Sequence, residues 1–398
     1  MTALSGVPPV WLLGLCLFPF GAYFAITVLT VPQLLVANGV PEPQIANLTA
    51  IGVIPTFASF LCSPILDWRF TRRAYATVLA VLSTAAMIGV LASIRELTQL
   101  AVFTFCGAAA ITLYAAAVGG WFGTIVAPSD KARLGAWFTV GNVAGGGVTA
   151  TIAITVLRHL PFGLAAALLG SLLLGPLLLF PFISTPAPDQ RLAAVSFQHF
   201  FRDVLAVLRR PSVVWTLVLF ALPAASFALT NFLPALGHDF NASEQAVGLI
   251  TGSGVTVAGI TGSLIVPRLV SRIAPRVLYV VIATIGALLT LSLTAMPRTP
   301  ITFAVAVLGE NVFQSAAFAV EFTIILTIIG EANPFAATQY GLLTAAPNLP
   351  ITYMQAVDGA AYGFGGLTGA FVADATIGLT ACAIGVLLFS RIAPESEI

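Results

Sequence analysis

Charged residues are scarce in this sequence: only 8% of its 398 residues are Asp, Glu, Lys or Arg, whereas 59% are hydrophobic. Soluble globular proteins have about 25% charged and 45–50% apolar residues, so a single water-soluble core is excluded. The formal net charge of only +1 gives no basic surface for a nucleic acid, and the mean hydropathy of +1.02 excludes a disordered chain. The apolar content therefore indicates a protein of the lipid bilayer.

Residue patterns that carry catalysis or metal binding are also missing. The four cysteines all lie inside apolar runs, and the three histidines fall in connectors. The sequence contains no CxxC motif, no HExxH motif and no P-loop, which argues against a metal centre and against the direct use of ATP. We therefore expect no enzyme, no metal site and no cofactor.

Long apolar runs, separated by charged residues and by Pro, Gly and Asn, predict twelve transmembrane helices. A helix needs about 20 apolar residues to cross a bilayer, and backbone groups in hydrocarbon must be paired within the segment, so the runs must be helical. The predicted spans are 10–37, 44–66, 74–93, 99–126, 135–157, 163–183, 212–236, 245–269, 277–296, 301–329, 336–357 and 366–390. The predicted fold class is an all-α membrane protein.

The sixteen basic residues orient this bundle. If both termini are cytoplasmic, all basic residues except Arg95, Arg158 and Arg298 lie on the inner side, including Arg191 and Arg391. This asymmetry is what the positive-inside rule requires, and all five tryptophans then fall at inner helix ends. We expect an integral protein of the inner (cytoplasmic) membrane of a bacterium.

The two halves of the sequence resemble each other in order. For example, Leu17-Phe18 recurs as Leu219-Phe220. A repeat of six spans returns each half to the same side of the membrane, so the halves are parallel repeats, an arrangement of transporters that bind substrate between the halves. We predict an N-terminal six-helix half (1–183), a cytoplasmic linker (184–211) and a C-terminal six-helix half (212–398).

The linker contains an amphipathic segment. Its apolar residues follow helical spacing and are Phe197, Phe200, Phe201, Val204, Leu205 and Leu208. The pattern predicts an interfacial helix that joins the two halves, and a binding site for a partner is the alternative.

The connector between spans 2 and 3 resembles the signature loop of the major facilitator superfamily. It runs Ser63-Pro64-Ile65-Leu66-Asp67-Trp68-Arg69-Phe70-Thr71-Arg72-Arg73. Asp67, Arg69, Arg72 and Arg73 match the acidic and basic positions of the motif, whereas Ser63 replaces its usual first Gly. The resemblance implies the major facilitator fold and transport by alternating access. A carboxylate beside guanidinium groups can lock one helix packing, and a plain positive-inside anchor is the alternative.

A narrower resemblance lies at the start of span 11. Phe335-Ala336-Ala337-Thr338-Gln339-Tyr340-Gly341-Leu342-Leu343-Thr344-Ala345 is similar to the same helix in AmpG-type muropeptide permeases and their acetyl-CoA-transporter relatives. The hairpin of spans 1 and 2 is similar too, whereas span 4 departs from the subgroup because it has Thr112 and Tyr114 but no acid. This resemblance implies a substrate such as a cell-wall-derived sugar peptide or a similar polar solute.

Three acids fall inside predicted spans, Glu310 and Glu321 in span 10 and Asp374 in span 12. Ionisable residues within the membrane are costly and by default functional. Glu310, Gln314 and Glu321 share one helix face within about 40°, with about 16 Å between the two glutamates along the axis. Because hydrocarbon disfavours the charged carboxylate, we predict that all three acids exchange coupling protons. The alternative for Glu321 is a neutral acid packed against neighbouring groups.

Other polar side chains within the spans are candidates for substrate contact. They are Tyr23, Tyr114, Asn231, Gln314, Asn348, Tyr353 and Gln355. The alternative is that they bond neighbouring helices, at about 0.6 kcal/mol each on average.

We therefore expect a secondary active transporter that works by alternating access and is driven by protons. An efflux pump for amphipathic compounds is one alternative, and a non-transporting membrane sensor or scaffold is another. Costly intramembrane acids argue against the latter. The expected partners are a small-molecule solute, protons and membrane lipids, without a nucleic acid, and the expected state is a monomer.

Overall fold

The computed structural model describes residues 8–186, 197–331 and 333–390. Arg191, Arg391 and the linker residues 187–196 lie outside this range. Every regular element within it is helical, and these described residues contain no strand. The predicted all-α membrane fold is confirmed.

Six long helices make up the first part of the chain, and each covers one predicted span. They are α1 (Val10–Ala37), α2 (Glu42–Leu61), α3 (Arg72–Ala92), α4 (Leu97–Ile125), α5 (Pro128–His159) and α6 (Phe162–Phe182). All six are long and apolar enough to cross a bilayer. One turn of α1, Ala25–Thr30, is π-helical.

The predicted seventh span is broken. It begins with α8 (Pro211–Ala221), which follows the amphipathic linker helix α7 (Phe197–Leu208). The chain then leaves the helical conformation at Leu222, with φ −73° and ψ 142°. A proline disfavours the α-helical conformation of the residue before it, and Pro223 follows directly. Helical structure resumes as α9 (Leu229–Phe232) and a 3₁₀ turn, Leu233–Phe240.

Five helices complete the chain. They are α10 (Glu244–Val270), α11 (Pro275–Ala295), α12 (Pro300–Ile329), α13 (Ala336–Ala345) and α14 (Asn348–Ser390). The 43 residues of α14 include the non-helical Gly366, with φ 58° and ψ −153°. The break therefore lies at the first residue of predicted span 12.

Ten helical runs of the described residues are long and apolar enough to cross a membrane, or eleven if the pair of α7 and α8 counts as one. The number is below twelve because Ala336–Leu388, which contains α13 and most of α14, counts as one run and covers two predicted spans. It is also lower because the predicted seventh span is divided into short pieces.

The described residues form two compact units. The first unit takes the described residues up to Val213 together with Ile325–Ala345, and the second takes Val214–Ile324 and the described residues from Ala346 onward. The end of α12 and all of α13 thus pack with the first unit. The division into halves at 1–183 and 212–398 stays a prediction.

Glycines bring α1 and α5 into backbone contact within the first unit. A Cβ at Gly21 would collide with the carbonyl oxygen of Asn142, and one at Gly145 would collide with that of Phe18. Larger residues at these two positions would push the helices apart, so the small residues fix the spacing of this pair.

Candidate functional site

Asp67 lies in a tight turn between α2 and α3. It ends the 3₁₀ turn Ser63–Asp67, and its side chain is 0% exposed. Arg69 then adopts φ 70°, a left-handed conformation that usually favours glycine. The Thr71 hydroxyl accepts a hydrogen bond from the Ala74 amide and so caps the start of α3. The turn places Asp67 beside the first residue of α3, Arg72.

The Asp67 carboxylate is the anion of a polar cluster at the start of α13. It accepts hydrogen bonds from Arg72 Nε at 2.8 Å, from the Ala337 amide at 3.2 Å, and from the Thr338 amide and Thr338 Oγ1 at 2.7 Å each. The first amides of a helix have no partner within the helix, and the helix dipole favours an anion there. Asp67 therefore caps α13 from a distant part of the sequence.

Arg72 extends this cluster to the loop that precedes α13. Its Nη2 donates to the carbonyl oxygens of Asn333 and Pro334, both at 2.9 Å. The Asn333 Nδ2 in turn donates to Gln339 Oε1 at 2.7 Å. We call the group of Asp67, Arg72, Asn333 and Thr338 the Asp67 junction.

The other two arginines of the motif have different partners. The Arg69 guanidinium lies over the Phe70 ring, 5.7 Å from its centroid. Arg73 Nη1 donates to the Phe180 carbonyl oxygen of α6 at 3.4 Å. Of the three arginines in the motif, Arg72 is the one that pairs with Asp67.

The two stretches that carry the AmpG-type resemblance contact each other at this junction. A Cβ added at Gly341 of α13 would collide with the Ser63 hydroxyl. Ser63, which stands where the superfamily motif has Gly, is accommodated by a glycine on the opposite helix. These two residues therefore form a close contact between the Ser63–Asp67 turn and α13.

Three buried carboxyls lie near each other in the second unit. Glu310 of α12 is 1% exposed, and Asp358 and Asp374 of α14 are 0% and 8% exposed. Both aspartates lie within electrostatic range of Glu310, and they lie within range of each other. We call these three residues the carboxyl cluster.

The carboxyl cluster has few hydrogen-bond partners. The Thr290 hydroxyl of α11 donates to Glu310 Oε1. Glu310 Oε2, both carboxylate oxygens of Asp358 and Asp374 Oδ1 are buried without a partner. A buried carboxylate anion is costly unless a cation pairs with it. A bound proton removes that cost, so the cluster is suited to taking up and releasing protons.

Asp358 was not predicted as a site residue. Predicted span 11 ends at residue 357, so Asp358 falls in the connector that follows it. Its surroundings carried a signal, since the neighbouring sequence Ala356-Val357-Asp358-Gly359-Ala360-Ala361 is otherwise uncharged. An isolated acid in such a stretch is a functional candidate.

Glu321 lies apart from the carboxyl cluster. It is 4% exposed and is hydrogen-bonded to the Tyr279 hydroxyl of α11. Both glutamates of α12 thus contact α11. Gln314 lies between them in sequence, but its Nε2 donates to Thr230 Oγ1 of α9 at 2.8 Å.

A small cavity adjoins the carboxyl cluster at the break between α8 and α9. It has a volume of about 10 Å³, and its lining includes Ser226, Thr290 and Asp374. This volume is close to the minimum for one water molecule. The Tyr353 hydroxyl donates to the Ala221 carbonyl oxygen at 3.1 Å. The break thus brings polar groups next to the acids.

The remaining predicted substrate contacts are dispersed. Tyr23 and Tyr114 are 0% exposed, and their hydroxyls donate to the carbonyl oxygens of Thr104 at 3.1 Å and Cys16 at 2.7 Å. These bonds tie neighbouring helices of the first unit together. In the second unit, Asn231 and Gln355 are exposed, and Asn348 is half-buried at the start of α14. Substrate contact by these residues stays a prediction.

Comparison with known proteins gives a family match and several likenesses of fold. The sequence model described as Major Facilitator Superfamily matches residues 11–346. A solved structure of the E. coli fucose:proton symporter FucP is 14% identical with a TM-score of 0.73, and the match covers 95% of this chain and 98% of that chain. An outward-facing bacterial homologue of the iron transporter ferroportin is 16% identical with a TM-score of 0.70, covering 96% and 99%. The human organic anion transporter MFSD10 (TETRAN) is 17% identical with a TM-score of 0.69, covering 94% and 98%. No curated protein sequence matches the chain.

Proposed function

The chain belongs to the major facilitator superfamily, and from that premise we propose that it couples the movement of a solute to protons through its carboxyl cluster. It is an integral membrane transporter of small molecules rather than an enzyme. The observation that supports proton coupling is the burial of Glu310, Asp358 and Asp374 together with four carboxylate oxygens that have no partner.

The coupling follows from the electrostatic cost of these acids. When water reaches the cluster, its carboxyls can exchange protons with that water. When the cluster is sealed from water, a charged carboxylate is costly, so the protonated cluster passes through the sealed state more easily. The Thr290 hydroxyl holds Glu310 in place during this exchange. A solute that is carried while the cluster is sealed from water is therefore carried together with the protons bound to the cluster.

The Asp67 junction supplies a lock on the same cycle. We place both chain termini in the cytoplasm, in the inner membrane of a bacterium, with the protein as a monomer. The junction then lies at the cytoplasmic ends of α2 and α13. Its charge-assisted hydrogen bonds stabilise one arrangement of these helices, and they must break when that arrangement changes. The stability of the junction sets the rate at which the transporter changes conformation. The carboxyl cluster determines that protons move with the solute.

We further propose a cell-wall-derived sugar peptide, or a similar polar solute, as the substrate. The support is the resemblance of Phe335–Ala345 and of the hairpin of α1 and α2 to AmpG-type permeases. The fucose:proton symporter fold match agrees with a polar, proton-coupled solute.

The test is uptake by purified protein in proteoliposomes with an imposed pH gradient, with a radiolabelled disaccharide peptide from bacterial cell wall as probe. Wild-type protein should accumulate the probe only when the gradient is present. Glu310→Gln, Asp358→Asn and Asp374→Asn should lose accumulation but retain counterflow exchange, because exchange needs no net proton movement.

For Glu321 we propose the alternative role of a neutral packed acid, so Glu321→Gln is the matched control: it removes a buried acid from the same helix but outside the cluster. It should accumulate the probe nearly as wild type does. Normal accumulation by all three cluster variants would refute proton coupling through the cluster. Gradient-driven extrusion of ethidium without probe uptake would instead establish the efflux alternative.

A further inference from the structure

An apolar groove lies beside the Asp67 junction in the first unit. Its volume is about 400 Å³, and it runs between α7, the end of α2 and the start of α13. Leu61, Leu205 and Leu342 contribute one apolar wall from each of the three helices. Cavities that hold small organic ligands span about 300–1,000 Å³. The groove is therefore large enough for a long hydrocarbon chain.

The linker helix α7 forms one side of this groove, and one edge of α7 packs against other residues of the first unit. Val204, Val207 and Phe335 form a small buried cluster, with Trp68 and Leu208 packed against it. Leu205 of the same helix remains 47% exposed, and Leu61 on the opposite wall is 70% exposed. Two apolar side chains that face a groove and are this exposed indicate a surface that hydrocarbon covers.

The charged residue that lines the groove is basic. Arg202 of α7 is exposed and lines the groove, and exposed Arg209 and Arg210 follow the same helix. An amphipathic helix with basic residues lies at the level of the lipid headgroups. Each Arg near the membrane surface attracts anionic lipid by about 1 kcal/mol. An anionic headgroup at this rim complements the charge, and an acyl chain complements the apolar walls.

We propose that the groove binds one acyl chain of an anionic phospholipid whose phosphate pairs with Arg202, and that this lipid stabilises the Asp67 junction. The three walls are helices whose backbone groups are paired, so the groove offers no strand edge to an extended peptide. A lipid is the occupant that matches both its apolar walls and its single basic rim.

The groove reaches the junction through one residue. Thr338 lines the groove, and its hydroxyl and amide both donate to Asp67. Leu342 lies one turn further along α13. A chain that fills the groove packs against the first turn of α13 and holds Thr338 against Asp67. By linkage, a ligand that binds the closed junction more tightly shifts the equilibrium toward it.

The binding experiment uses purified full-length protein in detergent and native mass spectrometry, with dioleoyl phosphatidylglycerol and dioleoyl phosphatidylcholine as probes. Wild type should retain one phosphatidylglycerol in preference to phosphatidylcholine. Arg202→Gln should weaken this preference about fivefold. Leu205→Trp, which fills the groove, should reduce the binding of both lipids. Arg272→Gln, an exposed arginine of the second unit, is the control and should bind as wild type does.

Occupancy of the groove beside the junction is measured by labelling of Cys62, which is exposed and adjacent to Leu61. In a Cys106→Ser background, phosphatidylglycerol should slow maleimide labelling of Cys62, and Arg202→Gln should remove this protection. Equal binding of the two lipids by wild type and Arg202→Gln would overturn the proposal. So would copurification of a protein that occupies the groove and excludes both lipids. These readouts need no transport, so their failure is distinct from failure of proton coupling.

Discussion

A single carboxylate organises the Asp67 junction. Asp67 satisfies the Ala337 and Thr338 amides at the start of α13 and neutralises Arg72, whose side chain is only 15% exposed. Loss of an N-cap side chain typically costs 0.5–2 kcal/mol, whereas removal of one partner from a buried ion pair costs about 3–5 kcal/mol. Asp67 combines both roles, so its charge should matter more than any one of its hydrogen bonds.

We therefore predict that Asp67→Asn lowers the thermal stability of the purified protein and alters transport. The amide keeps the shape of the side chain but leaves the Arg72 guanidinium without its counter-charge. Thr338→Val removes one hydroxyl donor and keeps the ion pair, so its effect should be smaller. Thermal unfolding and probe uptake in proteoliposomes measure the two effects. If Asp67→Asn has the thermal stability and the probe uptake of wild type, the loop acts only as a positive-inside anchor.

The sequence could identify Asp67 because its motif is local and its neighbours follow in the next six residues. The particular partner could not be predicted. The turn places Arg72, and not Arg69 or Arg73, at the carboxylate, because Arg69 adopts the left-handed conformation and Arg73 reaches α6. Asp358 was missed for a different reason, since its burial depends on where the long α14 run breaks, and that break is at Gly366.

At the scale of helices, the break between α8 and α9 is the main departure from a regular span. Leu222 is extended before Pro223, and Phe227 adopts φ 44°, which is unfavourable for a residue other than glycine. Side chains from other helices satisfy the freed carbonyls, with Tyr353 at Ala221 and Gln314 at Phe227. Tyr353 and Gln314, which were predicted to contact substrate, therefore stabilise the break by hydrogen bonds.

Pro223→Ala should let the helix of α8 extend toward Phe227. A proline inside a helix costs about 3 kcal/mol, so its removal takes away the chief barrier to a continuous seventh span. Hydrogen–deuterium exchange should then slow in the peptide that contains residues 222–228. Pro267→Ala is the matched control, because Pro267 lies within α10 without breaking it. Equal exchange at 222–228 in Pro223→Ala and wild type would show that tertiary contacts alone impose the break.

Hydropathy predicted where helices exist but not where they are interrupted. The apolar content of residues 212–236 is that of a span, and Pro223 alone does not decide between a kink and a break, because neighbouring side chains must satisfy the freed carbonyls. The opposite difference occurs between predicted spans 11 and 12, whose bounds leave residues 358–365 as a connector. Helical conformation continues through residues 358–365 and is interrupted just beyond them, at Gly366.

At the scale of the whole molecule, the first compact unit is discontinuous in sequence because it includes Ile325–Ala345. Residues 1–211 expressed alone would lack this segment, so Asp67 would lack its α13 donors. We predict that this fragment is degraded in cells and that co-expression of residues 212–398 stabilises it. Fragment abundance after a pulse of synthesis measures the effect. A long-lived 1–211 fragment without its partner would show that α13 is dispensable for the first unit.

The Asp67 junction also fixes an order of events in the making of the protein. The hydrogen bond between Asp67 and the Thr338 amide spans 271 positions. At a synthesis rate of 5–20 residues per second, Asp67 leaves the ribosome roughly 15–50 s before its last partners. During that interval, Asp67 has Arg72 beside it in the chain but lacks the α13 amides that it will cap. The contact between Asp67 and α13 can therefore form only after α13 has been made. The first unit reaches its final form only near the end of synthesis.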